Sequence, residues 1–159
     1  MTDRLTHLRG DGTAYMVDVT EKTPTVRSAT ATCEVACSPE ILAALREGTI
    51  PKGDVLAVAR IAGIHGAKRT AELIPLAHII GVHGAEIDLS LEDDYVAISA
   101  TVRTADRTGV EMEALTAVTI SALTIIDMVK GVDRSAYIRE AKIVAKSGGR
   151  SGDWRREGA

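Results

Sequence analysis

Apolar residues recur at every second position between Ser28 and Cys37. Ala29, Ala31, Cys33, Val35 and Cys37 share one face, and Ser28, Thr30, Thr32 and Glu34 the other. A period of two predicts a strand with one face on a core. Val82–Leu91 repeats the pattern through His83, Ala85, Ile87, Leu89 and Leu91, and Tyr95–Arg103 answers with Val96, Ile98, Ala100 and Val102. Glu92-Asp93-Asp94 supplies the turn of a hairpin. Ala136–Lys146 reads as a last strand. Between the strands the period changes. Ser38 and Pro39 open a helix that runs to about Gly48, with Ser38 as cap and Pro39 in the first turn. Pro51-Lys52-Gly53-Asp54 is a turn, and Asp54 caps a helix reaching about Glu72. That helix carries Gly63 and Gly66, each costing about 1 kcal/mol against Ala, which marks a close crossing with another backbone or a kink.

The longest apolar segment is Thr108–Lys130, with Glu111 and Glu113 at its start and Asp127 and Lys130 near its end. A helix apolar on most faces is a buried one, and charges on a buried helix need partners or a task. The element order, β-α-α-β-β-α-β, predicts an α+β ferredoxin-like sandwich: an antiparallel sheet with helices packed on one face. Residues 1–13 read as a flexible N-terminal arm, 14–146 as a single α+β domain, and 147–159 as a Gly/Ser-rich C-terminal tail.

The chain has 159 residues, enough for one domain with a real core. A formal net charge of −3 argues against a nucleic-acid partner. No uninterrupted apolar run approaches the roughly 18 residues of a membrane span, so no membrane partner is expected. The first residues lack the apolar stretch of a secretory leader, which points to the cytoplasm. Cys33 and Cys37 on one strand face would lie about 13 Å apart, too far for a disulfide, and read as small buried hydrophobes. They form neither a CxxC pair nor a zinc spacing. Phe is absent and Ala abundant, so the core is aliphatic and suited to close approach. A core of this kind often continues across a subunit interface, and homo-oligomerisation is expected.

Candidate chemistry lies in the charges. Lys52 in PKGD, Lys68 and Arg69 in AKRT, Lys130 before Gly131 and Lys146 in KSGGRSG all sit beside glycine or in turns. Glycine lets a ligand reach backbone N–H groups, and ammonium groups favour phosphate. A lysine beside a glycine is ordinarily a solvated loop residue; four such sites on one acidic chain fit a small polyanion. His78 lies in an apolar run, where histidine is more often structural than catalytic; as a functional group it suits proton transfer near neutral pH. His65 and His83 read as structural or surface groups, and His7 lies in the arm. Glu111 and Glu113 point about 200° apart on a regular helix and cannot both face one small ligand unless the first turn is irregular. Their bland role is to favour the helix N-terminus. Asp127 and Lys130 share a face. Glu113 and Asp127 are about 21 Å apart along the helix, so a single site using both needs one of them from a second subunit.

Taken together, MVDV (16–19), KGDVLAVARIAGIHGAKRT (52–70), LIPLAH (73–78), TGVEMEALTA (108–117), the Asp127/Lys130 pair and AKSGGRSGD (145–153) resemble the cyclic pyranopterin monophosphate synthases, molybdenum cofactor biosynthesis protein C. The resemblance covers the chain from about Leu5 to Asp153. It implies conversion of 3′,8-cyclo-7,8-dihydro-GTP to cyclic pyranopterin monophosphate with release of pyrophosphate, a phosphorus–oxygen lyase reaction. It also implies a ferredoxin-like fold and a hexamer, a trimer of dimers, with sites at dimer interfaces. On this resemblance Asp127 takes the place of the active-site residue, with Lys52, Lys130 and His78 as its catalytic company. Leu76, Ala77, His78, Met112 and Glu113 take substrate-binding positions, and Arg27 and Lys146 match further pocket cations; the residues themselves add Lys68 as a triphosphate-holding candidate and Glu111 as a further binding candidate beside Glu113. No metal site or resident cofactor is expected, with Mg²⁺ allowed as an escort of the triphosphate. Relatives usually read LCHP where this chain has Leu76, Ala77, His78 and Ile79. No catalytic thiol can therefore be invoked, and the loop holding His78 lacks the proline that would stiffen it. Two rival readings are a regulatory module that binds a nucleotide without chemistry, and another GTP-derived pterin enzyme. Several of the latter need a metal, and no Cys/His cluster supports one.

Overall fold

A computed structural model describes residues 8–158. Its elements are β1 (Thr25–Ala36), α1 (Pro39–Glu47), α2 (Val55–Lys68), α3 (Thr70–Leu73), β2 (Gly84–Leu91), β3 (Tyr95–Asp106), α4 (Glu111–Val129), β4 (Tyr137–Ser147) and β5 (Trp154–Arg155). The sheet runs β2-β3-β1-β4-β5, with every neighbouring pair antiparallel. This is the expected α+β ferredoxin-like sandwich. β1 is the middle strand, paired to β3 on one edge and β4 on the other. Its inward residues Ala29, Ala31, Cys33 and Val35 are buried, as the alternation predicted, and meet Val96, Ile98, Ala100 and Val102 of β3. The opposite face carries short polar groups, including a Thr30–Thr101 hydroxyl pair at 2.9 Å.

The helix starts follow from their caps. Ser38 accepts a hydrogen bond from the Ile41 N–H at 3.3 Å ahead of α1, and Asp54 accepts from the Ala57 N–H at 3.0 Å ahead of α2. α1 stops at Gly48, whose φ of 67° is left-handed and returns its N–H to the last turn. The helix expected to reach Glu72 breaks at Arg69 instead. The Arg69 backbone leaves the helical region with φ −112° and ψ 13°, and α3 follows, its Thr70 hydroxyl bonded back to the Gly66 and Ala67 carbonyls. β1 starts three residues earlier than the alternation indicated, and β5 is an additional strand on the outer edge of β4. His7 and the first half of the predicted arm lie outside the described residues.

α4 is the rod of the core. It is long and apolar enough to cross a membrane, but that apolarity is buried within the protein. Ten of its residues, from Glu113 to Val129, are buried as it packs on β1, β3, β4 and α2. α2 lies antiparallel beside it. A side chain at Gly63 would run into the Ser121 Oγ and sit 3.0 Å from the Ala117 carbonyl, while one at Gly66 would sit 2.9 Å from Ile120. Ser121 donates to the Ala59 carbonyl at 2.9 Å across the same contact. The two glycines therefore mark a close crossing, not a kink.

Gly63→Ala should destabilise the protein by about 1–3 kcal/mol, the range for forcing a methyl group into a packed core. Chemical denaturation reads this directly; an unchanged midpoint would mean the helices can separate freely.

Candidate active site at the two ends of one helix

The chain enters α4 through Thr108-Gly109-Val110, and Val110 sits at the helix start with φ −114° and no capping side chain. Over this end lies a cleft of about 530 Å³. Ile74, Leu76, Ala77 and His78 form one wall and Glu111, Met112 and Glu113 the other. Glu111 and Glu113 thus border one cavity despite their 200° separation. The cause is local. The Glu111 carboxylate folds back over Gly109, into space a β-carbon there would occupy, and no preceding turn of helix stands in its way.

The two carboxylates differ in setting. Glu113 is 4% exposed. Burial pushes its carboxyl up to about 7, with the Glu111 charge adding to the rise and its own backbone N–H opposing it. Glu111 instead pairs with Lys146 at 3.3 Å. That contact opens a second, tighter cavity of about 150 Å³, which shares Gly109 and Glu111 with the cleft and adds Arg27, Lys146 and Gly148. A third cavity of about 780 Å³ continues past Arg27 to Lys22 and Arg150. Arg27 is held by donation to the carbonyls of Asp106 and Arg107 at 3.2 and 3.3 Å. Gly148 and Gly149 have φ of 83° and 74°. A β-carbon on Gly149 would overlap the Arg27 guanidinium, and one on Gly148 the Val26 carbonyl, so this turn needs glycine twice over. An apolar-walled cleft thereby leads into a row of cations.

The far end of α4 carries a different arrangement. Asp127 bonds Lys130 at 2.6 Å and Lys52 at 2.9 Å, and Lys52 also donates to the Asp127 carbonyl at 2.9 Å. The hydrogen bond from Lys130, then that from Lys52, holds the Asp127 carboxyl down at about 2. All three side chains are about half exposed (47–57%), so these pairs add little to stability. They fix a carboxylate and two ammonium groups on an open surface.

The predicted residues therefore fall into two groups. Leu76, Ala77, His78, Glu111, Met112 and Glu113 meet at the α4 N-terminus, with Arg27 and Lys146 adjoining, while Lys52, Asp127 and Lys130 meet at its C-terminus. Lys68 joins neither group: it is exposed on the last turn of α2, with no ion pair among the described residues. His65 is exposed, as is His83, whose Nδ1 accepts from the Ala105 N–H at 3.2 Å. Both cysteines are buried free thiols pushed up to about 11, chiefly by burial, and are unsuited to nucleophilic work. Among the described residues no cluster of three His, Cys, Asp or Glu could hold a metal. Lys22 and Arg150, which line the third cavity, are two cations the sequence did not single out. Arg150 lies within the KSGGRSG segment already singled out for Lys146; Lys22 has no local signal at all.

Fold and site define a ferredoxin-like protein with a half-apolar cleft opening onto cations, a shape suited to a compact ring bearing phosphates. The chain belongs to the MoaC family, whose sequence model matches residues 16–149. It is 58% identical to a cyclic pyranopterin monophosphate synthase of Streptomyces griseus over 154 residues, covering 97% of this chain and 87% of the relative. Proteins of the same name from Streptomyces coelicolor (57% identity, 97% of this chain and 91% of the relative) and Thermomicrobium roseum (55%, 96% and 93%) are similar to it throughout.

The Glu113 carboxyl has a consequence for pH. Its folded pKa is raised from 4.5 to about 7, so ionising it opposes folding. The penalty is absent below about pH 4.5 and grows as pH rises through 7. Glu113→Gln should match the parent's stability at pH 4 and exceed it by up to about 3 kcal/mol at pH 8. Urea titrations at the two pH values measure the difference; equal gaps at both would place the carboxyl in water.

Proposed function

We propose that this protein converts 3′,8-cyclo-7,8-dihydro-GTP to cyclic pyranopterin monophosphate and pyrophosphate in molybdenum cofactor biosynthesis, acting in the cytoplasm. The observation that carries the reading is the continuity of the cleft at the α4 N-terminus with the cations beyond it. The ring system would occupy the space between Leu76–His78 and Met112–Glu113. A carboxyl poised near neutrality, as Glu113 is, can meet the N–H donors of an amino-pyrimidinone. The triphosphate would run past Lys146 toward Arg27, Arg150 and Lys22, where positive charge stabilises the leaving pyrophosphate. Formation of the cyclic phosphate breaks the bond from the α-phosphorus to the pyrophosphate as a substrate hydroxyl takes its place. The chemistry requires no redox or resident metal cofactor, and Mg²⁺ would enter only with the phosphates.

Proton transfer falls to the other group. A carboxyl held at about 2 is a weak base at neutral pH. Asp127 therefore orients Lys52 and Lys130, whose ammonium groups supply the protons, and becomes a stronger base only when substrate draws a lysine away. His78 is the candidate acid–base group on the ring side. About 21 Å of helix separates Glu113 from Asp127, so the two groups would meet only when a neighbouring subunit brings its α4 C-terminus to the cleft. That is the geometry of sites at dimer interfaces, within a trimer of dimers.

Supplying the cyclised GTP and following pyrophosphate tests the activity. Tight binding without turnover would favour the regulatory module instead. Asp127→Asn and Lys52→Ala should each lower kcat at least about 100-fold, the scale of a lost acid–base group, without loss of fold. Mixing Lys52→Ala with Glu113→Ala subunits should restore about a quarter of the parental activity, because hybrid dimers rebuild one intact site in two. No recovery after subunit exchange would place both groups of a site on one chain.

A further inference from the structure

Tyr15–Val19 belongs to no helix or sheet strand, yet its burial alternates. Tyr15, Val17 and Val19 are half-buried, while Met16, Asp18 and Thr20 are exposed. An extended chain alternates in this way when one side lies against a surface. Its far end is tied down firmly. The Asp18 carboxylate accepts from the Thr20 N–H at 2.9 Å and hydroxyl at 2.6 Å, and the Lys22 N–H bonds the Val19 carbonyl at 3.0 Å. Arg107, from the connection into α4, donates to the Lys22 carbonyl at 2.9 Å. The middle of the segment is held by the His78 ring, whose Nε2 lies 2.6 Å from the Val17 carbonyl oxygen.

A carbonyl oxygen only accepts, so Nε2 carries the proton. In the neutral ring Nδ1 is then the sole acceptor. His78 needs such an external tie. Its loop between α3 and β2 has no regular structure beyond a turn at Ile74–Leu76, and its neighbour Ile79 is 92% exposed. The loop's one proline, Pro75, lies three residues before His78, and Ile79 rather than a proline follows the histidine.

We propose that the strap Tyr15–Val19 is part of the active site, and that Val17 is a positioning residue whose carbonyl locks His78 as the Nε2–H tautomer, making Nδ1 the proton-accepting atom. Val17 touches no reacting group; it acts through the ring it orients. What His78 acts on rests on the proposed function, but its tautomer can be read without substrate.

Two measurements test this. In the full chain labelled with ¹⁵N-histidine at mildly alkaline pH, the His78 ring, assigned by its loss in His78→Gln, should show a protonated Nε2 and a bare Nδ1. The opposite tautomer, or an even mixture, would overturn the proposal. The second uses a chain beginning at Thr20. It should lose roughly 10- to 100-fold in kcat, the range for a lost orienting partner of histidine, with a smaller change in KM. The same truncation in His78→Gln should cost nothing further. An equal loss in both backgrounds, or no loss in either, would show that the strap does not act through His78. If the shortened chain fails to fold, or the full chain does not turn over the cyclised GTP at all, the tautomer of the full chain still decides.

Discussion

The contact between α2 and α4 sets the position of everything else. Two helices can approach this closely only where side chains are missing, and Gly63 and Gly66 provide that gap for Ser121 and Ile120. The Ser121 bond to the Ala59 carbonyl adds a register mark inside the crossing. Once the antiparallel register is set, the turn before α2 must reach the end of α4, which is how Lys52 finds Asp127. The end of α2 and the following loop must likewise return to the start of α4, which is how Leu76–His78 face Met112 and Glu113. Both charged groups are outcomes of one packing event in the core.

The same helix tunes two carboxyl groups in opposite directions. Glu113 at one end is buried beside another acid, and its proton is held more tightly. Asp127 at the other end is open to water between two ammonium groups, and its proton is released more easily. The helix itself would favour a negative charge at its start and a positive one at its end. Both carboxyl groups go against or beyond that background because near neighbours outweigh the distant dipole. Such a split suits a reaction that needs hydrogen-bond matching of a neutral ring and charge management of a phosphate tail.

Much of this was legible along the chain. Period-two runs located the four long strands, Ser38 and Asp54 announced two helix starts, and the paired glycines marked a spot for a close crossing or a kink. The unreadable parts share a cause: they depend on contacts distant in sequence. The break at Arg69 carries no proline or glycine; the backbone leaves helical geometry there, with φ −112° and ψ 13°, where α3 comes to pack on α4. Trp154–Arg155 becomes a strand only because the edge of β4 is open beside it. Ideal helix geometry kept Glu111 and Glu113 apart, whereas a helix end over a glycine has room for both. Lys22 borders the third cavity because Arg107 holds its backbone carbonyl, and Lys68, near Gly66, does not reach it.

The absence of phenylalanine and the scarcity of other aromatics leave the core optically silent. The one tryptophan, Trp154, is 41% exposed on the short outer strand, beneath the Arg156 guanidinium at 5.4 Å. That strand pairs directly with Lys146. Intrinsic fluorescence of this protein therefore reports the docking of its C-terminal edge beside Lys146, and an emission change on heating or on ligand addition reads that edge first and the aliphatic core only through it.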